Sequence, residues 1–283
     1  MKEVRKLWRE AFGDTERYMD FYFQTKAGRS SVYTDYEGAE LASMAFFTPY
    51  VGYYKGEKRT MEYVVGVATA KKYRHNHRMK RLLQNAISDR RENGVDMVFL
   101  SPENPEVYKS LGFVPSYHRV TTTVTGQGEQ RYQIALWEEL QDCQKKKVSQ
   151  WAEKRLKAAC FDLYLRHSPA YYDEVDQELH ALEGELVTFW QEQEPVAVCH
   201  VIREEEVPEV TELILCGENT EDVLQTLLYY LQTGKVNVED SYFIAPLNQE
   251  WIVQVPQNKP MIMYRFTDER EAEPIRCYIN DIT

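Results

Sequence analysis

A chain of 283 residues and 33.4 kDa can form one large domain or two ordinary ones, and 43% apolar with 28% charged residues supplies an ordinary globular core. The 34 Lys and Arg against 45 Asp and Glu give a formal net charge of −11, which argues against sequence-independent nucleic-acid binding, because that depends on neutralising phosphates. No apolar run reaches the ~18 residues of a membrane span, and the charged opening Met1-Lys2-Glu3-Val4-Arg5-Lys6 lacks the apolar centre of a signal peptide. A cytoplasmic protein that does not bind a membrane is expected, and homo-oligomerisation is left open.

Val4, Leu7, Trp8 and Phe12 recur at helical spacing until Gly13-Asp14, and Tyr18, Phe21 and Tyr22 open a second helix. Residues 30–36, 41–54 and 57–70 read as strands, the last two separated by the turn Lys55-Gly56. Met79, Leu82, Leu83, Ala86 and Ile87 then predict a helix over 78–92, closed by Asn93-Gly94. A buried strand over 95–100, a short helix over 106–111 and a Thr- and Val-rich strand over 113–125 complete a mixed sheet with helices on its faces. Gly126-Gln127-Gly128-Glu129 marks the end of that unit.

A second series follows, with helices over 151–161 and 170–182, a hairpin of 185–191 and 195–202, and a strand over 209–215. A helix over 220–231 and strands over 241–245, 261–266 and 275–282 finish it. The order of elements echoes the first series without echoing its residues, so an internal duplication is expected. The boundaries are 1–128 and 129–283.

The chemistry is concentrated at residues 61–83. A β-prone run feeds a loop, and the loop feeds a helix whose first turns carry Arg74, Arg78, Lys80 and Arg81. Unpaired N–H groups and the positive dipole end make a helix N-terminus a phosphate site, which basic side chains strengthen. A solvated basic helix face explains the same residues without a ligand.

Gly66-Val67-Ala68-Thr69 followed by Tyr73-Arg74, Met79 and Leu82-Leu83 resembles the acetyl-CoA signature of the GNAT acyltransferases, Arg/Gln-x-x-Gly-x-Gly/Ala. Downstream, Asn104, Tyr108 and Leu111-Gly112-Phe113 resemble the family's second motif. The closer similarity is to bacterial proteins with two GNAT domains in tandem, related to the Eis acetyltransferases. Their sterol-carrier-like third domain has no room in residues 252–283.

The resemblance implies a GNAT fold, a mixed α/β sheet flanked by helices, in two tandem GNAT-like domains of which the second is degenerate. It implies transfer of an acetyl group from acetyl-CoA, as co-substrate and without a metal, to an amine of a small molecule or peptide. The backbone of Val67, Ala68 and Thr69 would pair with the pantetheine amides. Arg74, His75, Asn76, His77, Arg78, Met79 and Lys80 would hold the pyrophosphate, Asn104 would lie near the pantetheine arm, and Tyr108 would protonate the departing thiolate. Glu62 and the terminal carboxylate of Thr283 are candidate bases.

One position departs from the family. His77 stands where the loop has glycine, a residue that lets backbone approach phosphate closely. Either His77 turns to solvent and the loop still works, or the loop is closed and the protein is a degenerate binding or scaffold protein. The five cysteines are scattered, which predicts neither a disulfide framework nor a structural zinc. His118, His167, His180 and His200 read as isolated from one another, without a nucleophile at a useful spacing.

Overall fold

The computed structural model describes all residues except 204–205, 240–242, 244–251, 269 and 280–283, and omits the side chains of 117–120 and 254–261 as well. Helix α1 (Lys2–Phe12) buries Val4, Leu7 and Trp8 and ends at Gly13 in the left-handed region; Thr15 caps α2 (Glu16–Gln24) by accepting from the Tyr18 N–H. Strands β1 (Ser31–Glu37), β2 (Glu40–Tyr54) and β3 (Glu57–Thr69) form an antiparallel meander. They lead to α3 (Arg78–Glu92), β4 (Met97–Leu100), α4 (Pro105–Lys109) and β5 (Val114–Thr125).

The later half adds β6 (Gln133–Leu136), α5 (Asp142–Ala158), β7 (Leu163–Leu165), α6 (Pro169–Ala181), β8 (Gly184–Gln191) and β9 (Glu194–Ile202). It continues with β10 (Glu209–Leu215), α7 (Thr220–Leu231), β11 (Lys235–Val238), β12 (Ile252–Phe266) and β13 (Cys277–Tyr278).

All thirteen described strands join one sheet, whose central run is β2-β3-β4-β12-β5-β11-β10-β9-β8, with β1 also paired to β2. The pairing repeats itself. β1/β2 and β2/β3 are antiparallel and β3/β4 parallel; β8/β9 and β9/β10 are antiparallel and β10/β11 parallel. The fifth strand of each series is exchanged: β12 pairs with β4 and β5 pairs with β11, both antiparallel, and β5 pairs with β12 at the centre. The duplicated order expected from the sequence is thus present as a duplicated pairing.

Helices α2 and α6 tie the two series together through a buried ion pair. Lys26 Nζ lies 2.7 Å from Glu178 Oε2, both side chains are no more than 3% exposed, and the Tyr18 hydroxyl donates to Glu178 Oε1 at 3.3 Å. Arg29 reaches Glu174, one turn earlier on α6, at 2.5 Å.

Several sequence expectations need correction. The helix expected at 151–161 begins at Asp142 and ends at Ala158. Its buried face, Val148, Ala152 and Leu156, is obscured by Lys145-Lys146-Lys147 and by a polar first turn. Strands β6, β7 and β11, of three or four residues each, were too short to show a period. The strand expected at 261–266 starts at Ile252. The strand expected at 241–245 falls outside the described residues except for Phe243, and of the one expected at 275–282 only Cys277–Tyr278 is strand within them.

Breaking a buried ion pair from one side strands a charge away from water. Lys26→Met should therefore cost about 3–5 kcal/mol, read as a lower urea midpoint at unchanged slope.

Candidate active site

β3 parts from its parallel neighbour part-way along. The β3/β4 ladder runs from Met61↔Met97 to Tyr63↔Phe99, and β4 ends at Leu100 while β3 continues to Thr69. Among the described residues, the β4-facing edge of 64–69 therefore carries no strand. At ~3.3 Å per residue this is roughly 20 Å of strand edge without a strand partner.

A bulge sits in that free segment. Phe46 pairs with Val65 and Met44 with Ala68, so Ala45 faces two residues, Gly66 and Val67. The bulge changes the alternation: Val64 and Val67 both pack on the α3 side, whereas Val65 and Ala68 pack on the α1 side. Gly66 is required there twice over, by its φ of 61° and by the Trp8 ring, which a Cβ would meet at 2.3 Å. Trp8 is itself held by its indole N–H, which donates to Asp14 Oδ2 at 2.6 Å.

From Thr69 the chain enters the basic loop. His75 and His77 have φ of 65° and 54°, both left-handed, and His77 is the residue immediately before α3. No side chain caps α3, so the N–H groups of its first turn are open to a ligand. The loop keeps a glycine-type backbone with a histidine in it, at a cost of about 1–2 kcal/mol. The His77 side chain is exposed.

The basic side chains have distinct attachments. Arg74 Nε donates to the Thr69 carbonyl at 3.1 Å and Arg81 to the Asn76 carbonyl at 2.9 Å, both bracing the loop. Arg78 meets Asp35 at 2.8 Å and also Glu37, while Lys72 and the Tyr73 hydroxyl meet Glu40. Met79 packs into the core beneath α3.

Tyr108 lies on α4, half-buried, against the same cluster that receives Val67 and Met79, with its ring 5.9 Å from that of Phe113. Burial pushes its phenol pKa up, so it holds its proton at neutral pH. Asn104 caps α4, its side-chain oxygen accepting from the Glu106 N–H at 3.1 Å. Glu62 lies apart from the bulge: it is buried, faces α3, and sits 3.4 Å from Arg90 Nε, with burial raising its pKa. Thr283 is outside the described residues.

An unpaired strand edge, a bulge, a basic helix start without a side-chain cap and a half-buried tyrosine lie at the residues of the two motifs. Residues 1–116 match the family model of the acetyltransferase (GNAT) domain. That stretch of the chain is similar to a GNAT acetyltransferase domain. No curated protein matches it. Among solved structures, a probable N-acyltransferase of Enterococcus faecalis V583 superposes with a TM-score of 0.74 at 13% identity, over 94% of this chain and 70% of that one. Eis1 of Mycobacterium abscessus gives 0.60 at 10% over the same shares, and a tandem GNAT protein from the clavulanic acid biosynthesis pathway gives 0.56 at 9%, over 91% and 89%. At such identities the likeness is one of fold, and that fold is a GNAT fold in tandem.

The second GNAT-like series has the same splay with different chemistry. β10 leaves β11 after Val210↔Val238 and bulges between Val210 and Glu212. The helix that follows, α7, begins with Glu221 and Asp222 after Gly217-Glu218-Asn219, which is hostile to phosphate. At the bulge Glu212 is fully buried, with His167 Nε2 at 3.2 Å and His200 Nε2 at 3.8 Å. Two of the histidines read as isolated from one another are therefore not so: His167 and His200 converge on one carboxylate, while His180 meets Glu138 and Asp176. Glu212, an acidic residue set just before Leu213-Ile214-Leu215, was the available signal.

Neither ring nitrogen of His200 has a hydrogen-bond partner among the described residues, and burial lowers its pKa. A histidine buried neutral takes up its proton more readily once unfolded, so its contribution is full above the unfolded pKa of ~6.5 and is lost as pH falls. His200→Leu should accordingly show a smaller drop in melting temperature between pH 7.5 and 5 than the unaltered chain. Gly66→Ala should lose at least about 2 kcal/mol from strain and the Trp8 clash, read in the same melting experiment.

Proposed function

We propose that the protein is an N-acetyltransferase that moves an acetyl group from acetyl-CoA to a primary amine of a small molecule or peptide by direct attack. The observation that carries this reading is the coincidence of the Gly66 bulge on a free strand edge with the left-handed His77 at the uncapped start of α3. Under it, the chain divides into an acyl-CoA-binding unit, 1–128, and a degenerate GNAT-like unit, 129–283.

The backbone of Val67, Ala68 and Thr69 binds the pantetheine amides as an added strand would. The first N–H groups of α3, with Arg74, His75, Asn76, His77, Arg78, Met79 and Lys80 around them, hold the pyrophosphate. Bound acetyl-CoA supplies the activated acetyl group, and the acceptor reacts as the free amine. The Val67 N–H polarises the carbonyl where negative charge develops. Tyr108 keeps its proton until the thiolate leaves, then donates it, and the proton that the attacking nitrogen sheds passes through water to restore the phenol. Asn104 acts by fixing the start of the short helix that carries Tyr108.

Acetyl-CoA at millimolar concentration should raise the melting temperature, since a ligand of the native state must stabilise it; no rise would exclude the reading. Tyr108→Phe should keep that rise and slow thiol release with a panel of primary amines by about a hundredfold. Unchanged turnover would remove Tyr108 from this role.

A further inference from the structure

The loop that would hold the phosphates is already holding carboxylates. Of the six Lys and Arg side chains between positions 71 and 81, two are paired with the β1–β2 hairpin: Arg78 with Asp35 and Glu37, and Lys72 with Glu40. Glu40 also accepts from the Tyr73 hydroxyl at 2.8 Å, and both cations lie over the Tyr73 ring, at 5.0 Å for Lys72 and 5.2 Å for Arg78. The hairpin and the loop are thus stitched together by charge around one aromatic ring.

We infer that the carboxylates of this hairpin are internal competitors for the cofactor's phosphates, and that Arg78 exchanges Asp35 and Glu37 for phosphate when acyl-CoA binds. The inference rests on the acyl-CoA reading above. Arg78 is suited to the exchange because it is the first residue of α3, at a helix start whose N–H groups no side chain caps. Its side chain is 14% exposed whereas Glu37 is 57% exposed, so the carboxylate can move into water without a large desolvation change while the cation stays. Phosphate and carboxylate satisfy the same forked donor, so one cation serves either anion but not both. Arg74 and Arg81 are committed differently: each donates to a carbonyl of the loop itself, which leaves their positive charge unopposed by a carboxylate in the described contacts. The consequence is a loop whose shape is set by two arginines and whose affinity is set by a third.

The test is a double-mutant cycle in the full chain, titrated by calorimetry with CoA and separately with inorganic pyrophosphate. Asp35→Asn with Glu37→Gln should tighten CoA by roughly fivefold or more, the worth of one additional charge-assisted hydrogen bond. The tightening should shrink as salt rises, because the competing charges are largely exposed. In an Arg78→Ala background the same two substitutions should tighten CoA by less than about twofold, since no exchangeable cation remains. Equal tightening in both backgrounds would overturn the inference in favour of a general charge effect, and no tightening in either would overturn it outright. If CoA fails to bind any of the four proteins while pyrophosphate reproduces the cycle, the acyl-CoA reading falls and the carboxylate exchange stands. If neither ligand binds, both fall.

Discussion

β5 and β12 run antiparallel through the middle of the sheet, with Ile252 opposite Val124 at one end and Tyr264 opposite Val114 at the other. Each strand gives its outer edge to a strand from the other series: Met263 pairs with Leu100 of β4, and Val124 with Val236 of β11. β4 is thereby held on both sides over only four residues, by β3 along Met97–Phe99 and by β12 along Met97–Leu100. That clamp lets β3 run on alone and present its free edge. The free edge at Val67 thus depends on a support that comes from sequence more than 150 residues away.

The two series share this geometry and differ in its electrostatics. In the first, the helix after the splay starts with Arg78, Lys80 and Arg81; in the second, with Glu221 and Asp222. The first bulge is lined by backbone with a glycine at its centre. The second is filled by Glu212 between two histidines, with the Tyr172 ring beside them, 6.3 Å from that of His200. Buried polar groups of that kind cannot yield to a cofactor arm without losing their mutual compensation. One copy therefore retains an open edge and the other has converted the equivalent place into core.

Much of this was legible in the residues. The helix at Arg78–Glu92 can be read to the residue because an apolar stripe ends at Asn93-Gly94, a stop that acts locally. The long strands β2 and β3 are equally clear, since their β-prone runs are cut by a two-residue turn. The basic loop is visible through its motif, and Tyr108 through the aromatic and Leu-Gly-Phe pattern beside it. The exchange of β5 and β12 is not visible, because a period of two specifies which face a residue takes and says nothing about which strand lies alongside. Nor are the attachments of Arg78: Asp35 and Glu37 stand some forty positions earlier, and only the hairpin's packing over α3 brings them near. His167, His200 and Glu212 come from three separate elements and meet through tertiary structure alone.

The exchanged strand also sets the order of events during synthesis. Chains emerge from the ribosome N-terminus first, and domains usually fold as they emerge. Residues 1–125 leave early, yet the outer edge of β4 has no partner until residues 263–266 follow. Until then the nascent chain exposes an unpaired, fully buried-type strand, Met97-Val98-Phe99-Leu100, of the kind that invites pairing with other chains. The free edge of β3 thus reaches its final setting only once residues 263–266 have emerged, although its own residues, 64–69, are translated early.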